Sequence, residues 1–285
     1  MKIVRKAYFQ ITYGKLLMTL RLYNEEARHS ATKERRLMMG TVKLSADEVE
    51  FYKKNGYLLY NKQVFNPEQL QELTQIFEEH LEQKGSKLSD ELDVPHFRDE
   101  RLLSYLMSDE VLDVVEALIG PNIGLWSSHF ICKDPFTGRA TPWHEDSAYW
   151  EGRLTSYDKI VTLWLALDRS WRENGCMRVI PGTHSSGFSE YEEVDASGNL
   201  FPTQIKKDSL DETKAVYFEL EQGECSLHDS RIIHGATPNT SPYRRCGYTM
   251  RFFSTEARVI PERNEGFKIW LARGRDIAGS PFINV

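Results

Sequence analysis

The chain has 285 residues, of which 40% are hydrophobic and 27% charged, a composition typical of a soluble globular protein with a large core. Its net charge of −6 argues against nucleic acid or an anionic membrane surface as the main partner. Four scattered cysteines without a Cys-x-x-Cys pair exclude a zinc ribbon and a redox motif, and they predict reduced, buried thiols in a cytoplasmic protein.

The N-terminal segment differs in charge from the rest of the chain. Residues 1–40 hold nine Lys/Arg and three Asp/Glu, a local charge of +6, so the remaining 245 residues carry −12. We predict that residues 1–43 form a basic N-terminal extension, which is either solvated and partly disordered or in contact with an acidic partner or its own domain. The stretch AYFQITYG within it is too short and too polar for a membrane span or a secretory signal.

Three amphipathic helices are predicted before residue 121. Ser45 and Glu48 form a capping box at the start of the first helix, and Gly56 ends it before an apolar strand at 57–60. The other two helices begin at good N-cap residues and end at glycines, and they run from Asn66 to Gly85 and from Ser108 to Gly120.

Short β-branched and aromatic runs, separated by turn residues, extend from residue 122 to about residue 257. This order of elements predicts an α+β chain, mainly β, whose strands close into a sandwich or barrel with the helices on one outer face. In KIVTLWLALD, aliphatic residues alternate with a mixed set that includes Thr162 and Trp164. We expect the aliphatic side to pack under the helices and the mixed side to face the barrel interior.

A histidine and an aspartate lie two residues apart in TPWHEDSAYW. On a strand, His144 and Asp146 would share one face, about 7 Å apart, and could point at one metal ion. A neighbouring strand could bring His234 to the same point as a third ligand. Two histidines and one carboxylate leave three positions of an octahedron open, an arrangement that suits non-haem Fe(II).

The other histidines are interpreted mainly as structural. His29, His80, His96 and His184 are predicted to be surface residues or hydrogen-bonded core residues. His129 and His228 lie in predicted interior strands, where a structural and a functional role both remain open. The neighbouring Asp229 would face the opposite side of the strand from His228, which argues against these two as a ligand pair.

Three blocks of the sequence resemble the phytanoyl-CoA dioxygenase family of Fe(II)/2-oxoglutarate oxygenases. They occur in the family's order, and the start of the domain, LSADEVEFYKKNGYLLY, is similar too, so the resemblance covers about residues 44–256. It implies that residues 44–285 form an oxygenase domain with a double-stranded β-helix (jelly-roll) core at about 122–257. The blocks are PWHEDSAYW, LWLALDRSWRENGCMRVIPGTHSSG and LHDSRIIHGATPNTSPYRR.

The resemblance also implies the roles of individual residues. It makes His144, Asp146 and His234 the iron ligands at the catalytic centre. It places Arg245, eleven residues after the last ligand, against the far carboxylate of 2-oxoglutarate and puts Trp164 beside this co-substrate. The remaining residues expected in the co-substrate site are Thr162 and His129.

The implied reaction uses Fe(II), 2-oxoglutarate and O2 to hydroxylate a small organic substrate, with release of succinate and CO2. Relatives that halogenate have a small residue where this chain keeps Asp146, which favours hydroxylation. Two alternatives remain: a jelly-roll protein that binds or senses a small acid without oxidising it, and a zinc hydrolase with the same ligands. Neither needs an arginine for a dicarboxylate. The sequence identifies neither the organic substrate nor the oligomeric state.

Strand alternation distinguishes the two adjacent arginines in RRCGYTMRFF. One side of this strand carries Arg244 followed by mostly apolar residues, whereas the other carries Arg245 followed by smaller and more polar ones. Because the polar side suits a barrel interior that holds a dicarboxylate, we predict that Arg245 points inward and Arg244 outward.

Overall fold

The computed structural model describes residues 43–283. The predicted basic extension lies almost entirely outside the described residues and stays a prediction. In the described part of the chain, no helix combines the length and the hydrophobicity that crossing a bilayer requires.

The first helix, α1 (Ala46–Asn55), has the capping box that the sequence predicts. The Ser45 hydroxyl accepts a hydrogen bond from the Glu48 amide, and the Glu48 carboxylate accepts one from the Ser45 amide at 2.7 Å. Gly56 ends the helix with a φ of 78°, a left-handed conformation that glycine adopts without strain.

The next helices agree with the sequence except at two points. Helix α2 (Pro67–Glu82) has the predicted N-cap, Asn66, but its C-cap is Gln83 and not the predicted Gly85. Gly85 lies in the turn that follows, with a φ of 62°. The short helix α3 (Arg101–Leu106) was not predicted. Helix α4 (Asp109–Ile119) lies between the predicted Ser108 and Gly120 caps.

Two antiparallel sheets form the body of the structure, as the predicted mainly-β architecture requires. The strands are β1 (Tyr57–Tyr60), β2 (Leu92–Asp93), β3 (Ile123–Lys133), β4 (Thr141–His144), β5 (Ile160–Ala166), β6 (Met177–Val179), β7 (Tyr191–Glu193), β8 (Thr203–Ile205), β9 (Val216–Tyr217), β10 (Cys225–Asp229), β11 (His234–Ala236), β12 (Arg245–Ser254) and β13 (Trp270–Arg273). The large sheet has the strand order β1-β10-β5-β12-β3-β13, with β2 also paired to β3, and the small sheet has the order β4-β11-β6-β9. Strands β7 and β8 form a separate hairpin.

The two sheets pack face to face around a shared core, the arrangement of a double-stranded β-helix. Trp164 of the large sheet packs with Met177 and Val179 of the small sheet in one buried cluster. The large sheet extends beyond the predicted core at 122–257, because β1 pairs with β10 and β13 pairs with β3.

The helices cover the outer face of the large sheet, as predicted. Helix α4 packs against β5 and β12, whose outward residues are aliphatic or aromatic and fully buried. From α2, the ring of Phe77 contacts Phe130 of β3, which stacks on Tyr248 of β12 at 4.2 Å. The inner face of the large sheet is therefore left for the pocket between the sheets.

Candidate active site

The pocket between the sheets is lined by side chains from both of them. The small sheet contributes two histidines, one at the end of β4 and one at the start of β11. The large sheet contributes mainly polar groups from the inward faces of β3, β5, β10 and β12. The side chains of the large sheet that line the pocket with polar or aromatic groups are His129, Trp164, His228, Arg245, Thr249 and Arg251.

The structure brings His144, Asp146 and His234 together, as the sequence predicts. His144 and His234 are direct partners in the register of β4 and β11, and their ring centroids are 4.0 Å apart. One ligand atom of each of the three residues lies within 4.8 Å of the others. All three side chains are buried.

Asp146 reaches this cluster by a route that the sequence did not predict. Strand β4 ends at His144, and Asp146 begins a turn of 3-10 helix that runs to Trp150. The strand stops because the amide and hydroxyl of Ser147 both donate to the carbonyl of Ser230, a loop contact in place of a strand ladder. The expected alternation along a strand is therefore wrong in detail, although the two side chains meet.

Both histidines are oriented by their own backbones. Nδ1 of His144 lies 2.8 Å from the carbonyl oxygen of Pro142, and Nδ1 of His234 lies 3.0 Å from that of Ile232. Since a carbonyl only accepts, each Nδ1 carries a proton, which leaves Nε2 as the nitrogen available to a metal ion. These two Nε2 atoms lie 3.7 Å and 4.0 Å from Oδ1 of Asp146. Two imidazole nitrogens and a carboxylate facing one point are a donor set that fits Fe(II).

The local electrostatics favour an ionised Asp146 and a neutral His234. Burial alone would raise the pKa of Asp146, but the Arg251 charge and the imidazoles of His144 and His228 bring it well below its usual range. Burial, together with the charges that His144 and His228 can carry, lowers the pKa of His234 well below its ordinary value. At neutral pH the carboxylate is therefore ionised and His234 is neutral.

Arg245 lies in the same pocket, with its side chain buried. Its Nε and Nη2 donate to the carbonyl of Gly175 at 3.2 Å and 2.8 Å, and Nη1 donates to the carbonyl of Ile131 at 3.4 Å. Because a guanidinium has five N–H groups, two have no hydrogen-bond partner among residues 43–283 and remain for a ligand. Arg244 points outward, as predicted, and forms ion pairs with Glu78 of α2 and with Asp168.

Trp164 faces inward, as predicted, and lines the pocket beside Arg245. The guanidinium carbon of Arg245 lies 5.5 Å from the centre of the indole ring. Across the strand pair, Gly247 leaves the space that the indole fills, since a Cβ there would lie 2.0 Å from Cζ2 of Trp164. The glycine thus allows the indole to take the position in which it lines the pocket.

The two remaining predicted co-substrate residues already have contacts within the protein. The hydroxyl of Thr162 donates to Oδ2 of Asp146 at 3.3 Å. His129 lines the pocket, but its Nε2 lies 2.9 Å from the carbonyl oxygen of Asp90 and its Nδ1 lies 3.7 Å from Asp93. Binding of 2-oxoglutarate by Thr162 and His129 stays a prediction.

His228, whose role the sequence left open, lines the pocket. It is fully enclosed, neither ring nitrogen has a hydrogen-bond partner within the described residues, and its ring centroid is 4.8 Å from that of His234. Sequence reasoning missed Arg251, which also lines the pocket. The sequence did contain a pattern that indicates Arg251: it lies on the same side of β12 as Arg245, six residues later.

Aromatic residues close the pocket beside the histidines. The ring of Phe201, in the loop before β8, meets the His144 ring edge-on at 4.9 Å and also contacts Tyr149. In contrast, Trp143 packs into a separate cluster, and Glu145 accepts hydrogen bonds from Ser189 and Tyr191. Of the residues that flank the ligands in sequence, Tyr149 therefore packs beside His144 and Phe201, whereas Trp143 and Glu145 make their contacts elsewhere.

Comparison with known proteins agrees with this geometry. The family model of phytanoyl-CoA dioxygenase matches residues 52–247, more than half of the chain. The peroxisomal phytanoyl-CoA dioxygenase of Homo sapiens is 30% identical over 166 residues, 57% of this chain and 48% of that protein. A probable alpha-ketoglutarate-dependent hypophosphite dioxygenase of Stutzerimonas stutzeri is 29% identical over 162 residues, 56% of this chain and 55% of that protein. The matched region thus spans about half the length of these two relatives.

Solved structures share the fold. The non-heme monooxygenase ThoJ, in its apo form, superposes with a TM-score of 0.68 at 24% identity, over 83% of this chain and 86% of that one. CytC3 with Fe(II) and alpha-ketoglutarate superposes with a TM-score of 0.61 at 23% identity, over 84% of this chain and 92% of that one. These structures show the fold, and the family model that matches residues 52–247 establishes that the chain belongs to the phytanoyl-CoA dioxygenase family of Fe(II)- and 2-oxoglutarate-dependent dioxygenases.

Proposed function

We propose that this chain hydroxylates a small organic substrate in a reaction that consumes 2-oxoglutarate and O2 and releases succinate and CO2. The observation that carries the proposal is the meeting of two groups in one pocket. One is the set of two imidazole Nε2 atoms and a carboxylate oxygen, and the other is the buried guanidinium of Arg245. The first suits Fe(II), and the second suits the distal carboxylate of 2-oxoglutarate.

In this proposal, His144, Asp146 and His234 hold Fe(II). The bound ion supplies the activation of O2, which protein side chains alone do not provide. The contacts of each Nδ1 with a backbone carbonyl fix both rings, so the Nε2 lone pairs stay directed at the ion.

Arg245 and Trp164 bind and orient the co-substrate. Three N–H groups of Arg245 donate to the carbonyls of Gly175 and Ile131, so the guanidinium is fixed before 2-oxoglutarate binds. Its other two N–H groups can donate hydrogen bonds to a carboxylate. The indole of Trp164 confines the carbon chain and excludes water from it.

The organic substrate would approach from the side of the aromatic residues. Leu200 and Phe201 line the pocket there and offer an apolar surface. Family membership does not fix the substrate, since two relatives are named for molecules as different as phytanoyl-CoA and hypophosphite. We therefore propose a small organic molecule without assigning its class.

Succinate formation tests the proposal. Purified protein loaded with Fe(II) is supplied with isotopically labelled 2-oxoglutarate and O2, with and without a panel of metabolites. The labelled succinate that forms is quantified. We expect slow basal turnover, a stimulation by the true substrate, and no turnover with Zn(II) in place of Fe(II). Hydrolysis supported by Zn(II), without succinate formation, would instead favour a zinc hydrolase, and tight binding of 2-oxoglutarate without turnover would favour a non-catalytic binding protein.

A further inference from the structure

Three inward-facing residues form a row across neighbouring strands of the large sheet. Arg251 of β12 is the register partner of Thr162 of β5, and Thr162 is the register partner of His228 of β10. Directly paired residues in a sheet project to the same face, so these side chains lie side by side. All three are directed at Asp146, which approaches from the other side of the pocket.

The three side chains of this row all lie near the same oxygen of Asp146, Oδ2. Nε of Arg251 lies 3.2 Å from Oδ2, the hydroxyl of Thr162 lies 3.3 Å from it, and Nε2 of His228 lies 3.9 Å from it. The other oxygen, Oδ1, is the one close to the Nε2 atoms of His144 and His234. The two carboxylate oxygens therefore face different partners: one faces the predicted metal ligands, and the other faces the row.

Arg251 is itself held in place. Its Nη1 donates to the hydroxyl of Thr249 at 3.1 Å, and that hydroxyl donates to the carbonyl of His129. Its guanidinium carbon lies 5.7 Å from the centre of the Trp150 ring, and its side chain is only 12% exposed. A guanidinium fixed in this way keeps a constant position relative to Asp146.

We propose that Arg251 is a positioning residue that restricts Asp146 to binding the metal ion through Oδ1 alone. This inference rests on the proposed function. A free carboxylate can bind a metal through one oxygen or through both. If both oxygens bound, one of the three positions left open by two histidines and a carboxylate would be occupied. By holding Oδ2 with a charge-assisted hydrogen bond, Arg251 keeps the positions that 2-oxoglutarate and O2 need.

A purely structural ion pair would behave differently in an experiment. Loss of a buried pair lowers the stability of the fold, whereas loss of a group that orients a ligand typically weakens metal binding by about 10–100-fold. Arg244 provides the matched control, since it is adjacent to Arg245 at the start of the same strand, on the opposite face, and is held by two carboxylates.

The test uses Co(II), which is spectroscopically visible, in the whole 285-residue chain. Co(II) is titrated into the wild type, Arg251→Gln, Arg251→Lys and Arg244→Gln, and both the affinity and the visible bands are recorded. We expect Arg251→Gln to weaken Co(II) binding by about 10–100-fold, because Asp146 loses the group that orients it. The bands should also change, because the carboxylate changes its binding mode. Arg251→Lys, which keeps the charge, should recover part of the affinity. Arg244→Gln should lower Tm without changing affinity or bands.

The outcomes separate this inference from the function on which it rests. Wild-type affinity and unchanged bands in Arg251→Gln would overturn the role of Arg251 and leave the proposed function standing. A wild type that binds no Co(II) or Fe(II) would overturn both. If Arg251→Gln does not fold, Arg251→Lys replaces it: a single ammonium lacks the planar fork of the guanidinium, so this variant should bind Co(II) more weakly than the wild type, and wild-type affinity with unchanged bands would contradict the inference.

Discussion

Arg244 and Arg245 are neighbours in the chain, and their side chains lie on opposite faces of the large sheet. Arg244 binds Glu78 and Asp168 on the helical side, whereas Arg245 lies in the pocket beside Trp164. Adjacent positive charges thus have separate roles, because successive side chains of a strand alternate between its faces.

The first prediction follows from this difference. Arg245→Ala should raise the 2-oxoglutarate concentration needed for half-maximal turnover by roughly thirtyfold or more, since removing one partner of a buried charge pair costs about 2–5 kcal/mol. Arg244→Ala should lower stability and leave that concentration nearly unchanged. Turnover measured over a range of 2-oxoglutarate concentrations compares the two variants, and the reverse ranking would contradict the assignment of Arg245.

The second prediction concerns the glycine opposite Trp164. In Gly247→Ala the new Cβ would lie 2.0 Å from Cζ2 of the indole, so the ring must move into the pocket. Overpacking of this kind costs about 1–3 kcal/mol, and we expect a roughly tenfold higher requirement for 2-oxoglutarate. Gly198→Ala is the control, because a Cβ there meets no atom within 4 Å. Equal kinetics for the two variants would show that Trp164 does not border the co-substrate.

The third prediction uses His96, a buried histidine outside the site. Burial lowers its pKa to about 3, and its Nδ1 lies 2.7 Å from the hydroxyl of Ser128. The folded pKa is below the unfolded value of about 6.5, so its contribution to stability is complete above pH 6.5 and is lost as the pH falls toward 3. Between pH 7 and pH 5 this loss amounts to about 2 kcal/mol.

Urea unfolding at pH 7 and pH 5 measures this effect. His96→Gln should be less stable than the wild type at pH 7, but it should lose about 2 kcal/mol less on going to pH 5. If both proteins lose the same amount of stability, protonation of His96 is not linked to unfolding.

The sequence alone predicted the parts of the site that depend on strand alternation. The inward position of Trp164 and the opposite positions of Arg244 and Arg245 follow from a two-residue period, and the structure confirms them. Caps such as Ser45 and Ser108 were also predictable, because capping is a local hydrogen-bond pattern.

The parts that were missed depend on contacts distant in sequence. The turn that carries Asp146 forms because Ser147 bonds to Ser230, 83 residues later. Phe201 reaches His144 from a loop whose position no local pattern encodes. His228 could be placed on an interior strand, but its proximity to Asp146 depends on how the two sheets face each other.

The fourth prediction concerns the basic N-terminal segment. Deleting residues 1–40 should leave 2-oxoglutarate turnover nearly unchanged, because every sequence block that resembles the family lies beyond residue 43. Turnover and Tm of the shortened protein are compared with those of the full chain. A large loss of activity in a domain that remains folded would instead place the segment in the site or in an oligomer interface.

The most direct measurement of the central claim is an anaerobic titration of the purified protein with Fe(II), followed by 2-oxoglutarate, monitored by visible absorption. The donor set of His144, Asp146 and His234 leaves three positions open, and Arg245 lies in the same pocket to bind the distal carboxylate. We predict one Fe(II) per chain and a weak charge-transfer band that appears only when 2-oxoglutarate is added, and Asp146→Ala should remain folded and lose the band. The absence of a band in the wild type, with a preference for Zn(II) in a closed tetrahedral site, would contradict the assignment of this pocket as an Fe(II)/2-oxoglutarate site.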